Sequence, residues 1–298
     1  MPDSRRFLHP EAIKRITRLE LRARHIVEGF LSGMHRSPFF GQSIEFRQHR
    51  EYVPGDDLRH VDWQVWGRQD RLYVKQYEED TNLRLTILLD CSGSMAYGGG
   101  VFTKFDYART LAASLSWLVL RQQDAVGAIT FDSSIRTVVP HSNARGQLES
   151  LCRNFDATTS GDTSDFDKVF TAITPSIPQK GMVLLLSDLF GEPSGILRAL
   201  SQMKSSGHDV NLLHVMDDDE LDFDFSGPTR FEGMESDAHL NCNPAALRDG
   251  YLEAVDQFLQ TVRHGTARIG IPYKLVRTSQ AFDTVLAEFL SERMSHQR

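Results

Sequence analysis

The chain has 298 residues, with 33 Lys and Arg against 40 Asp and Glu, giving a formal net charge of −7 with His neutral. Phosphate binding relies on clustered basic side chains, so this balance argues against duplex nucleic acid as the main partner and leaves only local patches such as Arg5, Arg6, Lys14 and Arg15. The apolar runs are short and broken by charges, so no membrane span is expected. The N-terminus carries Asp3 and Glu11 and lacks the long apolar core of a secretory signal, and three widely spaced cysteines, Cys91, Cys152 and Cys242, give neither a disulfide framework nor a zinc spacing. A reducing, cytoplasmic setting is the expectation.

In chain order, Ile13, Ile16, Leu19, Ala23, Ile26, Val27 and Phe30 form one apolar stripe, which predicts a single amphipathic helix over Glu11 to Leu31 packed on another surface. Between Gly41 and Tyr77, the alternating stretches Ile44-Glu45-Phe46 and Leu72-Tyr73-Val74 read as strands about a turn at Pro54-Gly55-Asp56-Asp57. A segment so small buries little surface, so residues 1–82 are expected to be an N-terminal helix and small β-segment docked on a larger domain, 83–298.

From Leu83 onward, apolar strand-like runs alternate with amphipathic helical patterns, which predicts an α/β fold with a doubly wound, mostly parallel central sheet of about six strands. Thr103-Lys104-Phe105-Asp106 reads as a capping box opening a helix that carries Phe105, Ala108, Leu111, Ala112, Leu115, Leu118 and Val119 on one face. Ala125 to Phe131 and Ser134 to Val139 follow as strands about Asp132-Ser133, then Gln147 to Phe155 and Phe166 to Ile173 as helices. Met182 to Leu186 and Val210 to Met216 are buried strands around a helix at Ile196 to Met203. Asp222-Phe223-Asp224-Phe225, a turn at Gly227-Pro228 and Arg230-Phe231-Glu232 predict a small β-excursion. Asn243-Pro244 then caps a helix bearing Leu247, Tyr251, Ala254, Val255, Phe258, Leu259 and Val262, and the strand Tyr273 to Val276 and helix Phe282 to Leu290 finish the domain.

The stretch richest in chemistry is Asp90-Cys91-Ser92-Gly93-Ser94, which closes the apolar run Leu85 to Leu89 and puts one carboxylate and two hydroxyls on a tight loop. Hard divalent cations take oxygen ligands, and ligands of open α/β sheets bind at the carboxyl ends of the strands, so the loop reads as a cation cradle. Asp188 follows the apolar run Met182 to Leu186, and Thr163 sits in the polar loop Thr158 to Ser164. On adjacent buried strands Asp90 and Asp188 would repel; a proton on one or a cation between them relieves this, and the neutral oxygens of Ser92, Ser94 and Thr163 favour the cation. Mg²⁺ is the first choice, with Mn²⁺ or Ca²⁺ as alternatives. The plainer reading is a strand-to-helix turn whose carboxylates cap backbone groups.

The loop, with Thr163 and Asp188 in this order, resembles the metal-ion-dependent adhesion site of von Willebrand factor type A domains. A more specific resemblance lies upstream. Glu45-Phe46-Arg47, Arg50-Glu51-Tyr52, Gly55-Asp56-Asp57-Leu58-Arg59-His60-Val61-Asp62-Trp63 and Arg68 are similar to the signature of the bacterial domain of unknown function 58 family, as are Phe225-Ser226-Gly227-Pro228 and Leu247-Arg248-Asp249-Gly250-Tyr251. That resemblance runs from about Gly33 to Arg293 and implies partnership with MoxR-type AAA+ ATPases in remodelling or maturation of other proteins. Gly161-Asp162-Thr163 departs from the Gly-Gly-Thr more common in similar proteins.

Other chemistries find less support. Gly98-Gly99-Gly100 lacks the Lys of a phosphate loop, Ser94 is not in a Gly-x-Ser-x-Gly elbow, and no His-Glu-x-x-His pair occurs. A phosphatase using Asp90 as nucleophile would ordinarily carry a second Asp two residues on, where this chain has Ser92. His208 and His214 read as structural or exposed, and Asp217-Asp218-Asp219-Glu220 as a solvated loop or helix start rather than a second cation site. The expectation is a non-enzymatic, metal-dependent protein-binding module that meets an acidic residue of an ATPase or its client. The alternative is an adaptor with a structural ion that binds through Arg59, Trp63 and Arg68, although those residues read more simply as internal anchors.

Overall fold

The computed structural model describes residues 10–34, 49–51, 73–75, 83–159, 161, 166–177, 180–234 and 239–296. By compactness the chain forms two units, Met1–Ser32 with Leu83–Arg298, and Gly33–Asn82. The expected 1–82 segment is thus divided, its helix belonging with the sheet. In the smaller unit, β1 (His49–Glu51) pairs antiparallel with β2 (Tyr73–Lys75), Arg50 opposite Val74. Ile44 to Phe46, Pro54 to Asp57, Arg59, Trp63 and Arg68 lie outside the described residues.

The larger unit is built on a six-stranded sheet in the order β10-β7-β6-β3-β4-β5. Its strands are β3 (Arg84–Asp90), β4 (Ala125–Phe131), β5 (Ile135–Ser142), β6 (Met182–Ser187), β7 (Asp209–Met216) and β10 (Tyr273–Arg277). All neighbours are parallel except β4 and β5, which are antiparallel. The chain leaves β3 toward β4 on one side and later returns to β6 on the other, so the order reverses between β3 and β6. Open α/β sheets bind ligands at such a reversal, outside the carboxyl ends of the strands. This is the doubly wound, mostly parallel α/β fold expected.

Near-continuous apolar runs suit strands covered on both faces. Leu88, Ile129, Phe131, Val183, Leu185, Val210 and Leu212 share a buried cluster with α5 (Phe166–Ser176), α6 (Pro193–Ser205) and Val262 of α8 (Pro244–Ile269). Side chains alternate along a strand, so Leu85, Ile87 and Leu89 face the other layer, where α3 (Lys104–Arg121) packs on β3. There Tyr107 stacks on Phe282 of α9 (Phe282–His296) at 4.5 Å. The helix α4 (Gln147–Ala157) lies beside α3.

Two elements differ from expectation. The N-terminal stripe is broken into α1 (Pro10–Lys14) and α2 (Leu19–Met34). The cause is Arg22, whose buried guanidinium takes the Ile16 carbonyl at 2.9 Å and the Thr110 hydroxyl at 3.0 Å, satisfying a helix end inside the unit. Ile13, Leu19, Ala23, Ile26, Val27 and Phe30 are buried all the same. In the β-excursion, β8 (Thr229–Glu232) pairs with β9 (His239–Cys242) rather than with 222–225. Asp217 and Glu220 form a reciprocal capping box that starts α7 (Asp218–Asp222), and Phe223 ends it in a left-handed conformation, stacking on Tyr251 at 4.3 Å. Among the described residues, no helix is long and apolar enough to cross a membrane.

Ile26 is fully buried on α2, so Ile26→Ala should cost about 2–5 kcal/mol of unfolding free energy in urea melts. A loss below about 0.5 kcal/mol would show that α2 is not part of the larger unit's core.

Candidate metal centre

The site begins where β3 runs out. Leu89 pairs with Leu186, so Asp90 and the β6 terminus emerge side by side at the reversal. Asp90 is fully buried, its Oδ1 accepting from the Ser92 amide at 2.9 Å and its Oδ2 from the Ser187 hydroxyl at 2.5 Å. Burial first, and the nearby Asp188 second, push its carboxyl up to about 7, against the pull of the serine hydrogen bonds. Ser92 is also fully buried, and its hydroxyl lies 3.2 Å from that of Ser94, at the start of a short 3₁₀ turn (Ser94–Ala96). Cys91, between Asp90 and Ser92, is a plug: its amide donates to the Phe131 carbonyl at 2.8 Å and burial pushes its thiol up to about 12, which disfavours the thiolate.

Asp188 lies just past the end of β6. Leu189 has φ +53°, a left-handed conformation costing a non-glycine residue about 1–2 kcal/mol, and is held by its buried side chain and by its amide donating to Ser187 Oγ at 2.9 Å. The Asp188 carbonyl accepts from His214 Nε2 at 2.8 Å, and His214 Nδ1 meets the Tyr273 hydroxyl at 2.9 Å. Burial pushes the imidazole down to about 4, so it is neutral, with the proton on Nε2. His214 is therefore structural, and it supports the backbone of a site residue.

The Asp188 side chain meets a cation already in the chain. Lys104 Nζ lies 2.7 Å from Asp188 Oδ2 and 2.5 Å from Glu220 Oε1, with the lysine side chain 2% exposed. Burial alone would lower the lysine's pKa, but the two carboxylates outweigh it and the net shift is upward, so Lys104 is charged. Lys104 was not singled out in the sequence, although a signal exists. A lysine in the first turn of a buried helix opposes the macrodipole and needs an anion nearby. Ser187 carries no comparable signal, and Glu220 shows only as the end of an Asp-x-x-Glu helix start.

Thr163 lies outside the described residues. Gly161, just before it in the chain, donates to the Cys91 carbonyl at 2.7 Å, and a Cβ at Gly161 would fall 1.9 Å from Asp132 Oδ2, so a larger residue would require the Asp132 side chain to shift. The structure thus brings together Asp90, Ser92, Ser94 and Asp188. The acidic run is a helix start, with Asp217 accepting from Thr278 at 2.7 Å, Asp218 paired with Arg277 and Asp219 bonded to Tyr97. Among the described residues, no group of three or more His, Cys, Asp or Glu could hold a metal ion. A cation here would rest on the mixed set of two carboxylates and two hydroxyls. Hard oxygens around a buried, proton-hungry carboxylate fit Mg²⁺, Mn²⁺ or Ca²⁺, and the absence of thiolate or imidazole donors disfavours softer metals.

The chain matches, over residues 48–259, the sequence model of a family described as "Protein of unknown function DUF58". It is 25% identical over 289 residues to an uncharacterized protein of Mycobacterium tuberculosis, covering 95% of this chain and 90% of that one. Among solved structures it is similar to the conserved hypothetical protein BatB of Bacteroides thetaiotaomicron, at 18% identity over 72% of this chain and 99% of that one, TM-score 0.46. It is also similar to the SpRpn10 VWA domain, at 12% identity over 69% and 94%, TM-score 0.43.

The two buried titrating groups give opposite pH signatures. A carboxyl raised from its ordinary range to about 7 binds its proton in the folded state first, so Asp90 makes stability fall as pH rises through that interval. His214, depressed to about 4, makes stability fall as pH drops below about 6.5. In divalent-free buffer, the stability of wild type relative to Asp90→Asn should therefore decline between about pH 4 and pH 7, by a few kcal/mol on the order of magnitude, and level off above. A pH-independent difference in urea melts would show that Asp90 is not held in this way.

Proposed function

The chain belongs to the DUF58 family, and from that premise and the geometry above we propose that it is a non-enzymatic, metal-dependent protein-binding module. The observation that carries the reading is the gathering of Asp90, Ser92 and Ser94 beside Asp188 at the sheet's reversal point. Asp90, Ser92, Ser94 and Asp188, with Thr163, would hold one divalent ion, Mg²⁺ first. When bound, the ion supplies a Lewis-acidic position for a carboxylate oxygen of a partner.

The chain's residues suit holding rather than turnover. Asp90 is fully buried with hydrogen bonds on both oxygens, a poor arrangement for an attacking nucleophile. His214 uses one ring nitrogen on a carbonyl and the other on a phenol, so it is not free to act as a base. The partner in this reading is a MoxR-type ATPase or a client that presents an acidic residue, met in the cytoplasm, where the buried thiols of Cys91 and Cys152 stay reduced.

Titration calorimetry on the full chain should detect Mg²⁺ or Mn²⁺ binding at millimolar concentrations or below. Asp90→Ala should abolish it while leaving the melting temperature of the divalent-free protein within a few degrees, because a costly buried carboxylate is removed. Capture of the cognate ATPase should be lost in excess chelator. No heat of binding at millimolar ion, or capture indifferent to chelator, sinks the proposal.

A further inference from the structure

The geometry points to Lys104 as the residue that sets how tightly the site takes its cation: its ammonium is a built-in rival for Asp188, and Glu220 is the acceptor that receives it when the rival is displaced. This rests on the cation reading above and deepens it. Lys104 Nζ sits 2.7 Å from Asp188 Oδ2 and 2.5 Å from Glu220 Oε1, bridging the two carboxylates. The position is fixed from three sides. Thr103 caps α3 by accepting from the Asp106 amide at 3.0 Å, and the Lys104 amide donates to the Tyr97 carbonyl at 2.8 Å, which pins the root of the side chain. Glu220 is held by its other oxygen, Oε2, which accepts from the Asp217 amide at 2.9 Å in the capping box of α7. Asp188 is held through its own backbone by His214.

An entering divalent ion adds charge beside an ammonium that cannot reach bulk water, since the lysine side chain is 2% exposed. Repulsion in a poorly solvated crevice is strong, so Lys104 weakens ion binding, and a shift of the ammonium toward Glu220 relieves part of that cost. The same charge leaves the loaded site more positive, which favours an incoming carboxylate over a neutral ligand. Lys104 is thus a positioning residue that exchanges intrinsic ion affinity for selectivity toward acidic partners.

The test is Mn²⁺ titration of the full-length protein, read by calorimetry, for wild type, K104M, E220Q and K104M/E220Q. K104M should bind Mn²⁺ about tenfold or more tightly than wild type, and E220Q should bind it more weakly because the ammonium then leans wholly on Asp188. A residue with only a structural role would weaken binding in both variants, so the opposite directions identify competition. Should K104M fail to fold with Glu220 left unpaired, K104M/E220Q carries the test, and it too should bind more tightly than wild type. Wild-type binding with equal or weaker affinity in K104M, or in the double variant where that carries the test, overturns this inference and leaves the cation site standing. No Mn²⁺ binding by any of the four overturns both.

Discussion

Two carboxylates brought to the ends of adjacent parallel strands, with little water to share, form the constraint around which the rest of the larger unit is arranged. The register that pairs Leu89 with Leu186 is dictated by apolar packing on both faces, and it leaves Asp90 and Asp188 in one crevice whatever their charges prefer. Each neighbour then answers that charge. Ser187 and the Ser92 amide donate to Asp90, Lys104 donates to Asp188, and Leu189, next after Asp188, takes a left-handed conformation. An apolar pair at these two positions would need none of it. The expense of the arrangement is itself a reason to look for function there.

The support extends outward in a connected series. Lys104 is shared with Glu220, Glu220 caps α7 together with Asp217, and Asp217 accepts from Thr278 beyond β10. On the other side, Cys91 ties the loop to the end of β4, and the Gly161 amide donates to the Cys91 carbonyl. Pieces from β3, α3, β6, β7, α7 and β10 therefore meet at one edge of the sheet. Lys104 bridges Asp188 and Glu220, and Arg277 bridges Asp218 and Asp222, which offsets part of the acidity gathered there.

Much of this was legible in the sequence because it follows from short-range rules. The runs Leu85 to Leu89 and Met182 to Leu186 announce buried strands, the loop after Asp90 announces a strand-end turn, and Asn243-Pro244 caps its helix through the Asn243 side chain at 3.2 Å from the Ala245 amide. What was not legible depends on partners distant in sequence. The break between α1 and α2 follows from Arg22 reaching both Ile16 and Thr110, and no periodicity reports that. The pairing of β8 with β9 was obscured because Phe223 and Phe225 alternate like a strand, yet Asp217 and Glu220 satisfy a helix start just before them. That Asp-x-x-Glu signal was present, and the acidity of the run hid it. Lys104 was read only as part of a helix cap, since its two acceptors lie 84 and 116 residues away.

The lysine also bears on the proposed recognition role. Of the buried titratable groups around the site, Asp90 is pushed up to about 7, while His214 is held neutral between a carbonyl and a phenol. Lys104 is locked in the charged state by two carboxylates, so it too is a fixed charge and not a proton carrier. In the proposed reading, a divalent ion loaded beside the fixed charge of Lys104 leaves the site net attractive to an incoming carboxylate and less so to neutral groups. Selectivity of that kind would suit the proposed module, whose partner presents an acidic residue.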